Sequence, residues 1–192
     1  MKSKKSIVII AVIAVIVIIG GALASSYNGL VTGQEAVANA QSDIDTVLQR
    51  RADLIPNVVA TVKDFAEHET EVYDKVLEAR QNLLNANTVE EQSVANEELS
   101  TALQGINVIV ENYPELKSDA TYIGLMDELE GSENRIAVAR KDYNDAVRSY
   151  NNKVIKFPGS IAASIFGFEK AEYFEADDSA DEVPDVGSAL AD

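Results

Sequence analysis

Cysteine is absent from the sequence, which excludes disulfide frameworks, thiolate zinc sites, thiol catalysis and lipid attachment through cysteine. Histidine occurs once, at His68. A single imidazole rules out the paired Glu-x-x-His di-metal site of the ferritin kind and leaves a Ser-His-Asp triad with no second histidine in reserve. The surrounding HETEV lacks the second histidine of a zincin helix, so His68 reads as an exposed residue in an acidic helix face. Basic residues are scarce, 16 against 32 acidic ones, and the net charge of −16 argues against nucleic acid as a partner. No Gly-rich phosphate loop and no metal-ligand spacing is present. No catalytic, cofactor-binding or metal-binding residue is therefore expected, and the 192 residues leave room for one ordinary domain plus extras.

What is present begins with SIVIIAVIAVIVIIGGALA, residues 6–24, which carry no charge. At about 1.5 Å per residue they cover about 28 Å, close to a hydrocarbon core. Lys2, Lys4 and Lys5 precede them, and no Lys or Arg follows until Arg50. That asymmetry predicts a cytoplasmic N-terminus of residues 1–5 and an extracytoplasmic remainder. Ala22-Leu23-Ala24 resembles a signal-peptidase site, so a secreted product is the alternative. The apolar run exceeds the usual signal core, which favours an uncleaved, single-pass anchor in the cell membrane, with the lipid bilayer as first partner.

Residues 25–157 carry helical periodicity. Tyr27, Leu30, Gln34, Val37, Gln41, Ile44 and Leu48 alternate steps of three and four, one stripe of a helix. Pro56 suggests a second helix start, over 55–86. Thr88-Val89-Glu90-Glu91 is a capping-box pattern opening a third, which stops near Tyr113-Pro114. A fourth begins near Ser118, carries Met126, Leu129, Glu133, Ile136, Arg140, Tyr143, Val147, Tyr150 and Val154 on one stripe, and ends before Phe157-Pro158. The fold expected is all-α: a transmembrane helix followed by an up-down-up-down antiparallel four-helix bundle of long helices, with coiled-coil-like seams.

On that topology LQRRADLIPN (48–57) and ENYPELK (111–117) are neighbouring turns at the membrane-distal tip. Arg50 and Arg51 then meet Asp53 or Glu111, either as helix-end ion pairs or as part of a recognition site. Glu133 and Arg140 interrupt an apolar seam. Counting down from the tip puts Gln41 level with Glu133 and Gln34 level with Arg140, as polar layers that fix register. These six, Arg50, Arg51, Asp53, Glu111, Glu133 and Arg140, form the candidate interaction or structural polar network.

YNGLV (27–31), LQRRADLIPNVVATVKDFAEHE (48–69), ENYPELK (111–117), LEGSENRIAVARKDYNDAVRSYN (129–151) and KFPGSIAASIFGFEKAEYFE (156–175) together resemble the LemA family of bacterial membrane proteins. The resemblance covers nearly the whole chain. It implies an N-terminal anchor, a helical bundle and a role in membrane organisation, with no established enzymatic activity and no catalytic residues to carry over. One departure is Gln41, where the family pattern leads us to expect tryptophan.

Beyond Pro158 the apolar segment 158–175 returns to the membrane-proximal end, to cap the core or lie on the bilayer. Residues 169–192 hold nine acids and one base, and 176–192 read as a disordered acidic tail. The function expected is a membrane-anchored helical scaffold or interaction protein with an unidentified protein partner or a second copy of itself. A ligand-binding sensor bundle is the alternative.

Overall fold

The computed structural model of the protein describes residues 2–174, and the acidic tail expected over 176–192 lies outside them. The described residues are helical, without strands: α1 (Lys2–Lys63), α2 (Thr70–Asn85), α3 (Val89–Asn112), the short α4 (Pro114–Lys117), α5 (Ala120–Ile155) and α6 (Gly159–Phe166). An extended strap, 168–174, follows.

α1 carries two surfaces in succession. From Ile7 to Ile19 every Ile and Val side chain is more than half exposed, so this part touches no other element. It is the one helix among the described residues long and apolar enough to cross a membrane. From Leu30 onward one stripe is buried, through Ile44, Leu48, Ala52, Ile55, Val59 and Val62, at helical spacing. Each Leu, Ile or Val among them contributes about 1.5–3 kcal/mol on burial.

The second helix expected at Pro56 does not start there. α1 runs through Pro56 and ends at Lys63, so the anticipated break at RRADLIP is corrected to a turn over 64–69. Proline inside a helix costs roughly 3 kcal/mol, because it has no amide for the carbonyl four residues back and its ring crowds that carbonyl. Here the stranded acceptor is Ala52, and Arg80 of α2 donates its Nε to that oxygen at 2.8 Å. The Pro56 ring itself points to the exposed side. A donor from another helix thus replaces the missing amide, and the helix continues.

α2 returns along α1, with the Tyr73 hydroxyl donating to the Ala66 carbonyl at 2.5 Å and Arg80 reaching Ala52. The α2–α3 turn is closed by the capping box. The Glu91 amide donates to Thr88 Oγ1 at 3.1 Å, while Glu91 Oε2 accepts from the amides of Thr88 (3.2 Å) and Asn87 (2.8 Å). Those amides hold the Glu91 carboxyl below its ordinary value. α3 pairs with α2 antiparallel, Asn82 Nδ2 donating to Glu98 Oε2 at 3.1 Å. It ends at Asn112, just before Pro114, which occupies the first turn of α4. Asp119 then caps α5 by accepting from the Tyr122 amide at 2.9 Å.

α5 is the long partner of α1 and runs antiparallel to it: Arg51 faces Glu133 and Gly33 lies against the Tyr150 ring. Of the seam read in the sequence, Leu129, Ile136, Tyr143, Val147 and Tyr150 are buried. The register differs from the count made from a tip at Pro56. Glu133 meets Arg51 and not Gln41, ten residues away on α1, because α1 extends beyond the assumed turn. The α5–α6 turn needs glycine, since a Cβ on Gly159 would stand 2.1 Å from the Lys153 carbonyl oxygen. Gly167, left-handed at φ 75°, ends α6.

Candidate functional site

Arg51 lies on the buried stripe of α1, between Leu48 and Ile55, whereas Arg50, about 100° further round the helix, lies outside it. The consequence is large: Arg51 is 2% exposed. Its Nη1 donates to Asn96 Oδ1, and its Nη2 donates to Ser100 Oγ at 3.0 Å and pairs with Glu133 Oε1 at 2.6 Å. Ser100 Oγ also stands 3.0 Å from that same Glu133 oxygen. One guanidinium therefore ties α1, α3 and α5 together. Burial pulls the Arg51 pKa below its ordinary value, the Glu133 carboxylate opposes this, and the nearby Arg140 charge adds to the lowering. The group remains cationic.

The other candidates disperse. Arg50 pairs with Glu128 at 3.5 Å on the surface. Asp53 accepts from its own helix neighbour Gln49 at 2.9 Å. Glu111 is exposed at the end of α3 and partners neither arginine, so the expected meeting of RRADLIP and ENYPELK side chains does not occur. The arginines are inside a helix, and ENYPELK instead supplies the α3–α4 corner, with Leu116 fully buried. Arg140 stacks its guanidinium over the Phe174 ring, 4.5 Å from the centroid. Among the described residues no group of three or more His, Asp or Glu converges to hold a metal ion.

A second polar layer lies further down α1. Gln41 Nε2 donates to Gln92 Oε1 at 2.9 Å, and Gln92 Nε2 donates to Asp45 Oδ1 at 2.8 Å. Gln41 Oε1 is buried and has no hydrogen-bond partner. The layer opens into a cleft of about 680 Å³, whose lining includes Asp45, Tyr143, Lys170 and Glu172.

The strap closes the α5 side. The Asn151 side chain donates to and accepts from the Ala171 backbone, both at 2.9 Å, and Asn144 does the same with Phe174 at 2.9 and 2.8 Å. Seven helical residues rise about 10.5 Å and three extended residues about 10 Å, so the two asparagines are spaced to read an extended chain. Phe174 is buried in the main core as a result. Sequence reasoning missed Arg80, Asn96, Ser100, Asn144 and Asn151. For Arg80, Asn96 and Ser100 the signal was the position of polar residues on or beside an otherwise apolar helix stripe.

The LemA family profile matches residues 40–187, which takes in both polar layers and the strap. The chain belongs to the LemA family. Similar proteins include magnetosome protein MamQ 2 of Paramagnetospirillum magneticum, 29% identical over 196 residues, covering 88% of this chain and 72% of that one. Magnetosome protein MamQ of Magnetospirillum gryphiswaldense is 28% identical over 174 residues, 77% of this chain and 64% of that one. Protein LemA of Metamycoplasma hominis is 24% identical over 150 residues, 78% of this chain and 68% of that one. With the exposed apolar helix, these relatives point to membrane association of this LemA-family chain.

Proposed function

We propose that this LemA-family protein is a single-pass membrane-anchored scaffold or interaction protein, without chemistry of its own, that serves membrane organisation. The observation that supports this best is the continuity of α1. One helix joins an apolar section that touches nothing to a section buried in the protein core, so the core stands directly on its anchor. The antiparallel contacts of α1, α2, α3 and α5 are taken as an up-down-up-down four-helix bundle, extracytoplasmic, with the N-terminal lysines in the cytoplasm. Arg50, Asp53 and Glu111 are exposed at separate places, each open to contact with a protein partner or a second copy, while Arg51 and Glu133 hold the helices that carry them together. The magnetosome names of the relatives support a membrane-organising role.

Protease added to intact spheroplasts is expected to digest the bundle and leave an anchored fragment. Full protection of the bundle reverses the orientation, and a mature N-terminus at Ser25 replaces the anchor with a cleaved signal peptide. A second reading, a ligand-binding sensor, is favoured by one observation: the cleft of about 680 Å³ lined by the polar side chains of Gln41, Asp45, Gln92, Lys170 and Glu172. Mass spectrometry of the chain purified natively from its membrane is expected to find a co-purifying small molecule rich in hydrogen-bond donors. Repeated preparations without one remove the sensor.

A further inference from the structure

The helix α6, GSIAASIF, has no charged residue. Its inner face is satisfied: Ala162 and Ala163 are buried against Leu30 and Tyr150, with Leu23 packed alongside. Its outer face is mostly apolar, with Ile161, Ile165 and Phe166 exposed at 46%, 60% and 53% and the uncharged Ser164 exposed among them. A helix at a water surface carries polar residues outward, and one that is apolar all round is covered by protein or by lipid. Among the described residues no protein covers this face.

Its position identifies the cover. Leu23, packed against the same small cluster as Ala162 and Ala163, belongs to the uncharged run 6–24, and Tyr27, about 5 Å of helix beyond that run, makes edge contacts with Phe166 and Phe168 at 4.8 and 5.6 Å. α6 therefore lies beside α1 at the level where the apolar run ends. Aromatic rings, amphipathic lysines and short apolar helices are the residues and elements that suit a membrane interface. Lys153 Nζ donates to the Gly29 carbonyl at 3.2 Å, close to Tyr27, and the exposed Lys156 and Phe157 (81%) follow it in the chain just before α6. We infer that α6 is a second membrane contact: its Ile161, Ile165 and Phe166 face enters the acyl–headgroup boundary beside α1 and fixes how the core sits on the bilayer. The occupant of the exposed face is lipid, and the inference rests on α1 being a membrane anchor.

The absence of cysteine makes the test direct, because a single introduced cysteine labels one site. Full-length chains carrying Ile165→Cys, Ile161→Cys, Val12→Cys or Val108→Cys are labelled with a polarity-sensitive fluorophore and reconstituted into phosphatidylcholine–phosphatidylglycerol vesicles. Val12 reports the apolar run and Val108, 62% exposed on α3, reports a water-facing apolar site. The labels at 165 and 161 are expected to lose emission to nitroxide-bearing lipids and to resist aqueous iodide, as Val12 does, with Val108 the reverse. A label at 165 and 161 that responds to iodide as Val108 does overturns the inference. So does resistance to both quenchers, which marks a protein cover such as a second copy. If Val12 itself escapes the lipid quencher, the anchor fails. If Val12 is quenched by lipid and 165 is not, only the second contact fails.

Discussion

The layer at Arg51 and the layer at Gln41 sit ten residues apart on α1 and differ in what they bury, a charge in one and amides in the other. At Arg51 a buried cation is surrounded by Asn96, Ser100 and Glu133. At Gln41 two amides and Asp45 share bonds beside a cleft, and each layer leaves one buried atom without a hydrogen bond, Gln41 Oε1 here and Arg51 Nε there. A buried charge that loses its partner is costly, whereas an amide carries a smaller desolvation penalty. The first layer therefore carries the larger penalty when a partner is removed, and the second the smaller.

The sharpest test of that contrast is Arg51→Ala, which strands Asn96 and Glu133. It is expected to destabilise the chain by about 3 kcal/mol in chemical unfolding followed by circular dichroism, at the low end for a broken buried pair because Glu133 is partly exposed. Arg80→Ala comes next, at about 1–3 kcal/mol, since the Ala52 carbonyl then has no donor. If Arg80 stands in for the missing amide of Pro56, the loss shrinks in a Pro56→Ala background, and a double-mutant cycle with no coupling removes that account. Gln41→Leu is expected to shift stability by less than about 1 kcal/mol, because it removes an open acceptor along with its bonds. A loss as large as that of Arg51→Ala would erase the distinction between the layers. Smallest is Arg50→Ala, below about 0.5 kcal/mol, as its pair with Glu128 is solvent-exposed on both sides.

The parts of the fold legible in the sequence were local. The alternating seam of α5, the Thr88–Glu91 capping box and the stops at Pro114 and Pro158 each depend on residues within a turn or two of one another. Pro56 misled because its rescue is non-local: the donor that serves the Ala52 carbonyl comes from Arg80, on another helix. That single misplacement moved the assumed end of the first helix and with it every cross-helix pairing, so Glu133 was set against Gln41 and not Arg51. Arg50 and Arg51 are adjacent in sequence and look alike there. Only the phase of the buried stripe separates them, and that phase was readable from Leu48, Ala52 and Ile55 once the helix was allowed to continue. The paired asparagines at 144 and 151 were not legible, because their partner is an extended backbone whose side chains carry no sign of it.

α1 has no interruption between Ala24 and Lys63, a length of about 58 Å. Standing on a bilayer, such a rod is a pointer. A tilt of about 20°, the average for spanning helices, carries its far end sideways by about 20 Å. On the reading that α1 spans a bilayer, hydrophobic mismatch is one contribution to tilt beside packing and interfacial anchors, and any change of tilt becomes a larger sweep of the end where Leu116 and Tyr73 pack. On the inference that α6 enters the interface on one flank, a lean away from that flank draws Ile161, Ile165 and Phe166 out of lipid and a lean toward it presses them deeper, so the sweep acquires a preferred axis.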